Sequence, residues 1–152
     1  MKKRRTENRS LTFTRWCTRI VLALCIVFGA AAPPLWRWFL TSLRPELTAL
    51  LRLFLTSSYL LLVPAIAALL LLLRLLRNLA DGTVFVPENV VLLRGISWLC
   101  AIACGICAAS ALYYPVFLLF AGAFGLMALL LNAVKNCFGQ AVAMQDELDL
   151  TV

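Results

Sequence analysis

The sequence contains no histidine, and only 14% of its 152 residues are charged. Histidine is the usual general base in catalysis and a very common metal ligand, so its absence removes the most frequent basis for acid–base and zinc chemistry. A soluble domain carries roughly 25% charged residues. The chain therefore lacks the polar surface that a water-soluble globular protein needs.

Apolar residues are in excess, because 63% of the chain is hydrophobic. They form four runs of about the 17–25 residues that cross a bilayer as a helix, at residues 16–32, 53–76, 90–113 and 116–138. The runs lack the period-two alternation of membrane β-strands, which leaves helices as the spanning structure. The sequence predicts an all-α integral membrane protein, a four-helix bundle with short loops.

Three segments differ in charge: a basic tail at residues 1–12, the four-span domain at 13–138 and an acidic tail at 139–152. The basic tail has no apolar periodicity, so we expect no regular structure there. We interpret its cations as a topology signal that meets the lipid bilayer. A nucleic-acid patch is the alternative, but we expect no direct nucleic-acid binding.

The first span has two interpretations. Its basic start and the small residues Gly29 to Ala32 resemble a cleaved signal peptide. Pro33 restricts the backbone directly after the last alanine, so we favour a retained span. Arg15 and Arg19 lie a turn apart and can reach the headgroups. Pro33-Pro34 is expected to end this helix.

The segment 33–52 joins the first two spans. Trp36 and Trp38 suit a water–lipid boundary. Residues 43–51 predict a short helix on the membrane surface, with Pro45 in its first turn. A ligand-binding cap is the alternative for this segment.

A polar stretch from Arg74 to Arg94 separates the second and third spans. Asp81-Gly82 is a turn dipeptide, and Pro87 suits the first position of a helix, where its missing N–H needs no partner. Glu88 follows in the first turn, where negative charge is favourable. This stretch predicts a helix end, a turn centred in the loop 77–89 and a helix start.

The third and fourth spans contain small residues and one strongly polar side chain. Cys100, Cys104 and Cys107 suggest either a metal site or close helix packing. We favour packing and predict no metal and no cofactor, because cysteine within a span usually acts as a small apolar residue. Asn132 should face the bundle and form a hydrogen bond across it.

The distribution of the cations predicts the orientation. With both termini cytoplasmic, eleven of the 14 cations are inside: Lys2, Lys3, Arg4, Arg5, Arg9, Arg15, Arg19, Arg74, Arg77, Arg94 and Lys135. Three remain outside: Arg37, Arg44 and Arg52. The positive-inside rule therefore places the polar stretch and both termini in the cytoplasm.

Two cytoplasmic segments carry recognisable motifs: Arg77-Asn78-x-x-Asp81-Gly82-x-x-Phe85-x-x-Glu88-Asn89 with Leu93-Arg94-x-Ile96-x-Trp98, and Ala141-Val142-x-x-Gln145-x-Glu147-x-Asp149-Leu150-Thr151-Val152. Together with the four spans they resemble a bacterial family known as domain of unknown function 2975, over about Trp16 to the last residue. Family members often carry Thr or Ser before the glutamate, where a side-chain oxygen can cap the helix. This chain has Val86-Pro87 instead, so that cap is missing.

The resemblance implies a multi-pass protein of the bacterial inner membrane with no established activity, and so no catalytic residues. It also implies a partner, because such proteins are often encoded beside small Cro-like helix-turn-helix regulators. We therefore expect a membrane interaction or signalling protein that engages a small soluble DNA-binding regulator. The expected interaction surface comprises Arg74, Arg77, Asn78, Asp81, Gly82, Phe85, Glu88, Asn89, Arg94, Asp146, Glu147 and Asp149.

Two further function classes are left open. A small transporter, exporter or immunity-type protein would need polar groups within the membrane, and only Asn132 and the Pro64 region qualify. An intramembrane enzyme is expected least, because the sequence offers no nucleophile–base pair. A homo-oligomer is compatible with each class.

Topology is the first testable prediction. Reporter fusions at Asp81 and at the C-terminus should both read cytoplasmic, because the cations are biased to that side. Mass spectrometry of the purified protein should find the N-terminus uncleaved after Ala32. A reporter at Asp81 that reads external would contradict the orientation.

Overall fold

The computed structural model describes residues 2–43, 45–81 and 86–150. These ranges contain four helices, α1 (Lys2–Leu43), α2 (Leu51–Ala80), α3 (Pro87–Ser110) and α4 (Phe117–Leu150), with a 3₁₀ helix at Pro45–Leu50, and no strand. Each of α1 to α4 is long and apolar enough to cross a membrane. The predicted all-α fold with four spans is confirmed, and the chain is a multi-pass membrane protein.

The four helices run alternately up and down. Close backbone packing joins α1 to α2, α2 to α3, and α3 to α4, whereas the described backbones of α1 and α4 do not meet. One end of the bundle carries the α2–α3 connection, the start of α1 and the end of α4, and we call it the loop end. The other end, which holds the α1–α2 and α3–α4 connections, we call the aromatic end.

A glycine lies at each of the three helix–helix contacts. Small residues allow helix backbones to approach closely, and packing of this kind holds helices together in lipid. An ideal Cβ added to these glycines would lie 2.7 Å from Leu62 Cδ2 for Gly29, 3.0 Å from Leu71 Cδ1 for Gly95 and 3.4 Å from Cys104 Sγ for Gly125. The contacts at Gly29 and Gly95 therefore use the missing side chain of a glycine, whereas a Cβ at Gly125 would make an ordinary van der Waals contact.

Helix α1 does not end at Pro33-Pro34, so that prediction is wrong. The helix continues through both prolines to Leu43. Proline has no N–H, so Pro33 leaves the carbonyl of Gly29 without its helical donor. The hydroxyl of Tyr59 on α2 donates a hydrogen bond to that carbonyl over 3.1 Å. A neighbouring helix thus satisfies the freed backbone group, which lets the helix persist in lipid.

Both tails are extensions of helices. Helix α1 begins at Lys2, so the basic segment that we expected to lack regular structure is helical. Helix α4 continues to Leu150 and includes most of the acidic tail. At the α1–α2 connection, the 3₁₀ helix Pro45–Leu50 matches the short helix predicted there.

A cluster of buried apolar residues lies between α2 and α3 near the loop end. It comprises Leu75, Leu92, Leu93 and Ile96, with Phe138 of α4 packed against it. The cluster sits directly beneath the α2–α3 connection and so provides a rigid base for the polar side chains at that end.

The glycine contacts yield the second prediction. Gly29→Val should lower the free energy of unfolding by about 1 kcal/mol more than Gly122→Val, because the terminal methyl group of Leu62 must move to admit the added atoms. Gly122→Val is the matched control, since an added Cβ there has no neighbour within 4 Å. Denaturant unfolding in detergent measures both variants. Equal destabilisation by the two substitutions would contradict the close α1–α2 contact.

Candidate functional site at the loop end

The end of α2 and the start of α3 match the sequence prediction, and residues 82–85 between them lie outside the described part of the chain. Pro87 is the first residue of α3, and Val86 before it has extended backbone angles (φ −121°, ψ 140°) without a side-chain cap. Helix α2 ends with the N–H of Asp81 bonded to the carbonyl of Arg77 over 3.0 Å. The start of α3 therefore depends on proline geometry rather than on a capping oxygen.

Two asparagines join α2 to α3 inside the connection. The side-chain amide of Asn78 donates to Oδ1 of Asn89 over 3.0 Å. Asn89 is fully buried. A buried amide is costly unless it is hydrogen-bonded, so this pair favours one alignment of the two helices. Asn89 was predicted on the interaction surface; its burial instead gives it a role within the hairpin.

One ion pair spans the outside of the same connection. Arg74 Nη2 lies 2.7 Å from Glu88 Oε1, and the two side chains are 65% and 46% exposed. Pairs this exposed contribute roughly 0–1 kcal/mol, so Arg74–Glu88 adds little stability. Its main effect is to neutralise the charge of Glu88 and to orient the side chain of Arg74 toward α3.

Four arginines converge on a polar basin of about 690 Å³ beside this ion pair. Arg15 and Arg19 come from α1, four residues apart, and Arg74 and Arg77 come from α2, three residues apart. We call this the arginine basin, and its lining is Arg15, Arg19, Leu73, Arg74, Arg77, Asn78, Asp81 and Glu88. Antiparallel packing of α1 on α2 brings the two pairs of cations to the same level.

Sequence reasoning had treated the two arginine pairs separately. Arg15 and Arg19 were interpreted as anchors, and Arg74 and Arg77 as part of the polar stretch. Their helical spacings of four and three residues place each pair on one face. The spacing of each arginine pair is therefore visible in the sequence. That the two pairs face each other depends on how α1 packs against α2, which the sequence does not show.

The remaining residues of the predicted surface divide into three groups. Arg94 is exposed on α3 but does not line the arginine basin. Glu147 is exposed on α4, and the backbone positions 146 and 149 lie in the same helix. Gly82 and Phe85 lie outside the described residues. The structure thus brings Arg74, Arg77, Asn78, Asp81 and Glu88 together.

The end of α4 extends past the start of α3. Ser97 of α3 donates a hydrogen bond to the carbonyl of Ala128 over 2.9 Å, which sets the register of these antiparallel helices. That register puts Pro87 level with about Phe138, so residues 139–150 project beyond α3 at the loop end. We call residues 139–150 the acidic extension. By backbone packing, α4 meets α3 and neither α1 nor α2 in the described chain.

Asn132 does not face the bundle, so that expectation is wrong. Its side chain is exposed, and its Oδ1 accepts a hydrogen bond from Lys135 Nζ over 2.8 Å. Among the described helices the backbone of α4 meets only α3, and the exposed side chain of Asn132 points away from that contact. Lys135, three residues further along the same helix, provides the partner instead.

The cysteines of α3 contribute to helix packing. Cys104 Sγ lies against Gly125 of α4, Cys107 is buried, and Cys100 packs on the Leu75 cluster. Within residues 2–43, 45–81 and 86–150, no group of three or more His, Cys, Asp or Glu could hold a metal ion. The packing interpretation accounts for all three side chains.

The aromatic end holds a polar network that sequence reasoning missed. The buried hydroxyl of Ser57 on α2 shares a 3.0 Å hydrogen bond with Ser110 of α3 and accepts a 2.7 Å bond from Tyr113. Phe54 is fully buried beside it, with its ring centroid 4.8 Å from that of Trp36. The partners of Ser57 lie more than fifty residues away along the chain, so the sequence alone does not pair them.

Comparison with known proteins gives one match. A family model described as "Protein of unknown function (DUF2975)" matches residues 35–152, which is most of the chain. The match begins later than Trp16, so it includes Arg74 and Arg77 but not Arg15 and Arg19. No curated protein and no solved structure matches the chain.

The third prediction concerns the two interactions across the α2–α3 connection, the Asn78–Asn89 hydrogen bond and the Arg74–Glu88 ion pair. A double-mutant cycle on Asn78→Ala and Asn89→Ala should give a coupling of about 0.5–2 kcal/mol in the free energy of unfolding, because the pair includes a buried amide. The cycle on Arg74→Ala and Glu88→Ala should give less than about 1 kcal/mol and decline with salt. An equal, salt-dependent coupling in both cycles would contradict the buried contact.

Proposed function

The chain belongs to the DUF2975 family of proteins of unknown function, and we propose that it is a non-enzymatic signalling protein of the bacterial inner membrane. In this proposal the loop end faces the cytoplasm and binds a small soluble regulator. The observation that carries the proposal is the acidic extension, a helical segment that projects past the start of α3.

The position of the acidic extension favours recognition over stability. A membrane span needs only about 20 residues, whereas α4 has 34. The last turns therefore extend beyond what crossing the bilayer requires. Exposed charges there contribute little to folding, but complementary charge controls encounter and partner choice.

The chemistry of the partner follows from the charge of this segment. Asp146, Glu147 and Asp149 present negative charge, which attracts a basic protein. Small DNA-binding regulators are basic because they neutralise phosphates. The family resemblance points to the same class of partner, and the cation distribution favours a cytoplasmic position for the segment, in the compartment that contains DNA.

The other function classes have less support. A transporter would use polar side chains facing a path through the membrane, but Asn132 is exposed on the outside of α4. Enzymatic chemistry would need clustered acid, base or nucleophile groups. Asp81 and Glu88 are exposed, and Glu88 is paired with Arg74.

Removal of the acidic charge is the fourth prediction. The triple substitution Asp146→Asn, Glu147→Gln and Asp149→Asn should weaken binding of the regulator about tenfold or more, with the remaining binding insensitive to salt. The full-length protein in lipid nanodiscs and a purified small helix-turn-helix regulator from the same bacterium are the components of the assay. Circular dichroism should show unchanged helix content.

Removal of Thr151 and Val152 alone is the control, because it shortens the chain and leaves the three carboxylates. Glu46→Gln at the aromatic end is a second control for loss of an acidic charge. Unchanged binding by the triple variant would contradict the role of the acidic extension. Unchanged regulator activity in a reporter strain lacking residues 146–152 would contradict the signalling function.

A further inference from the structure

The arginine basin collects more positive charge than the chain neutralises. Its lining includes four guanidinium groups and the carboxylates of Asp81 and Glu88. Glu88 pairs with Arg74 at 2.7 Å, and in the described part of the chain Arg15, Arg19 and Arg77 form no ion pair. Like charges gathered around one basin repel each other unless an anion joins them.

The guanidinium groups suit one class of anion. Arginine presents five N–H donors in a planar fork that matches the oxygens of a phosphate, and two such groups can hold one phosphate from two sides. Arg15 and Arg19 line the basin from α1, while Arg77 lines it from α2. The amide of Asn78 adds a neutral polar group to the lining.

The level of the arginine basin identifies the source of the phosphate. The apolar run of α1 begins near Trp16 and that of α2 ends near Leu76, so the basin lies at the ends of both membrane-crossing segments. Phe13 and Trp16 are 71% and 61% exposed at the same level of α1, where aromatic side chains meet the lipid interface. A group entering from the bilayer at this depth is a lipid headgroup.

The lining also contains an apolar residue, Leu73. A free phosphate ion gains nothing from an apolar wall, whereas a phospholipid brings its glycerol and acyl carbons with its phosphate. Basic pockets between transmembrane helices bind anionic headgroups in this way.

We propose that the arginine basin binds the phosphate of an anionic phospholipid, with Arg15, Arg19 and Arg77 as its donors. The bound lipid joins α1 to α2 at the loop end and relieves the repulsion among the arginines. Arg74 stays with Glu88 and completes the positive wall. This site requires no soluble regulator, so its test is independent of the proposed signalling function.

The test compares two double variants with the same loss of charge. Arg15→Gln with Arg19→Gln removes two basin cations that have no ion pair, so the fold should survive. Arg37→Gln with Arg52→Gln removes two exposed cations at the aromatic end. The full-length protein is placed in nanodiscs of a neutral lipid, and spin-labelled phosphatidylglycerol is titrated in at trace amounts.

The native protein and the Arg37/Arg52 variant should bind phosphatidylglycerol with equal affinity. The Arg15/Arg19 variant should bind it about tenfold or more weakly, because each cation near the membrane surface strengthens the attraction severalfold. Arg77→Gln should weaken it severalfold. Equal affinity in the Arg15/Arg19 variant, or equal weakening in both double variants, would overturn the site.

Competition separates the lipid from a soluble anion. Inorganic phosphate and glycerol 3-phosphate at millimolar concentration should not displace the labelled phosphatidylglycerol. Displacement of the lipid by either soluble phosphate would overturn its assignment as the ligand. Displacement by unlabelled phosphatidylglycerol but not by phosphatidylcholine would support it.

Discussion

Close approach of neighbouring helix backbones is the contact on which this architecture depends. Lipid tails are as apolar as leucine, so helices in a bilayer are not driven together by the hydrophobic effect and must rely on packing and hydrogen bonds. Gly29, Gly95 and Gly125 provide that packing at the three interfaces. Because the contacts join chain neighbours, the helices form a row whose first and last members remain apart.

Hydrogen bonds between the helices then fix the alignment of the helix pairs that pack closely at the glycines. Tyr59 ties α2 to α1 at Gly29, Ser57 ties α2 to α3 at the aromatic end, and the asparagine pair ties them again at the loop end. Helix α2 takes part in each of these ties and therefore acts as the centre of the bundle. Helix α4 is joined to α3 by the hydrogen bond from Ser97 and by apolar contacts.

Much of this fold could be predicted from the sequence, because the length of an apolar run determines whether it crosses a bilayer. Local chemistry also predicted the start of α3 at Pro87. The end of α1 was predicted wrongly because the donor for Gly29 comes from Tyr59, thirty residues away. The arginine basin was missed for the same reason, since its cations come in pairs from two helices. Contacts between elements, rather than the elements themselves, were beyond single-sequence reasoning.

The packing of each helix on its predecessor has a consequence for how the protein is made. Chains dominated by contacts between adjacent elements assemble fastest, because little loop entropy must be lost before a contact forms. During synthesis, each of α2, α3 and α4 enters the bilayer after the helix on which it packs is already there. No helix has to wait for a partner that has not yet been translated. The acidic extension leaves the ribosome after all four spans, so it emerges onto a bundle whose first three spans are already assembled.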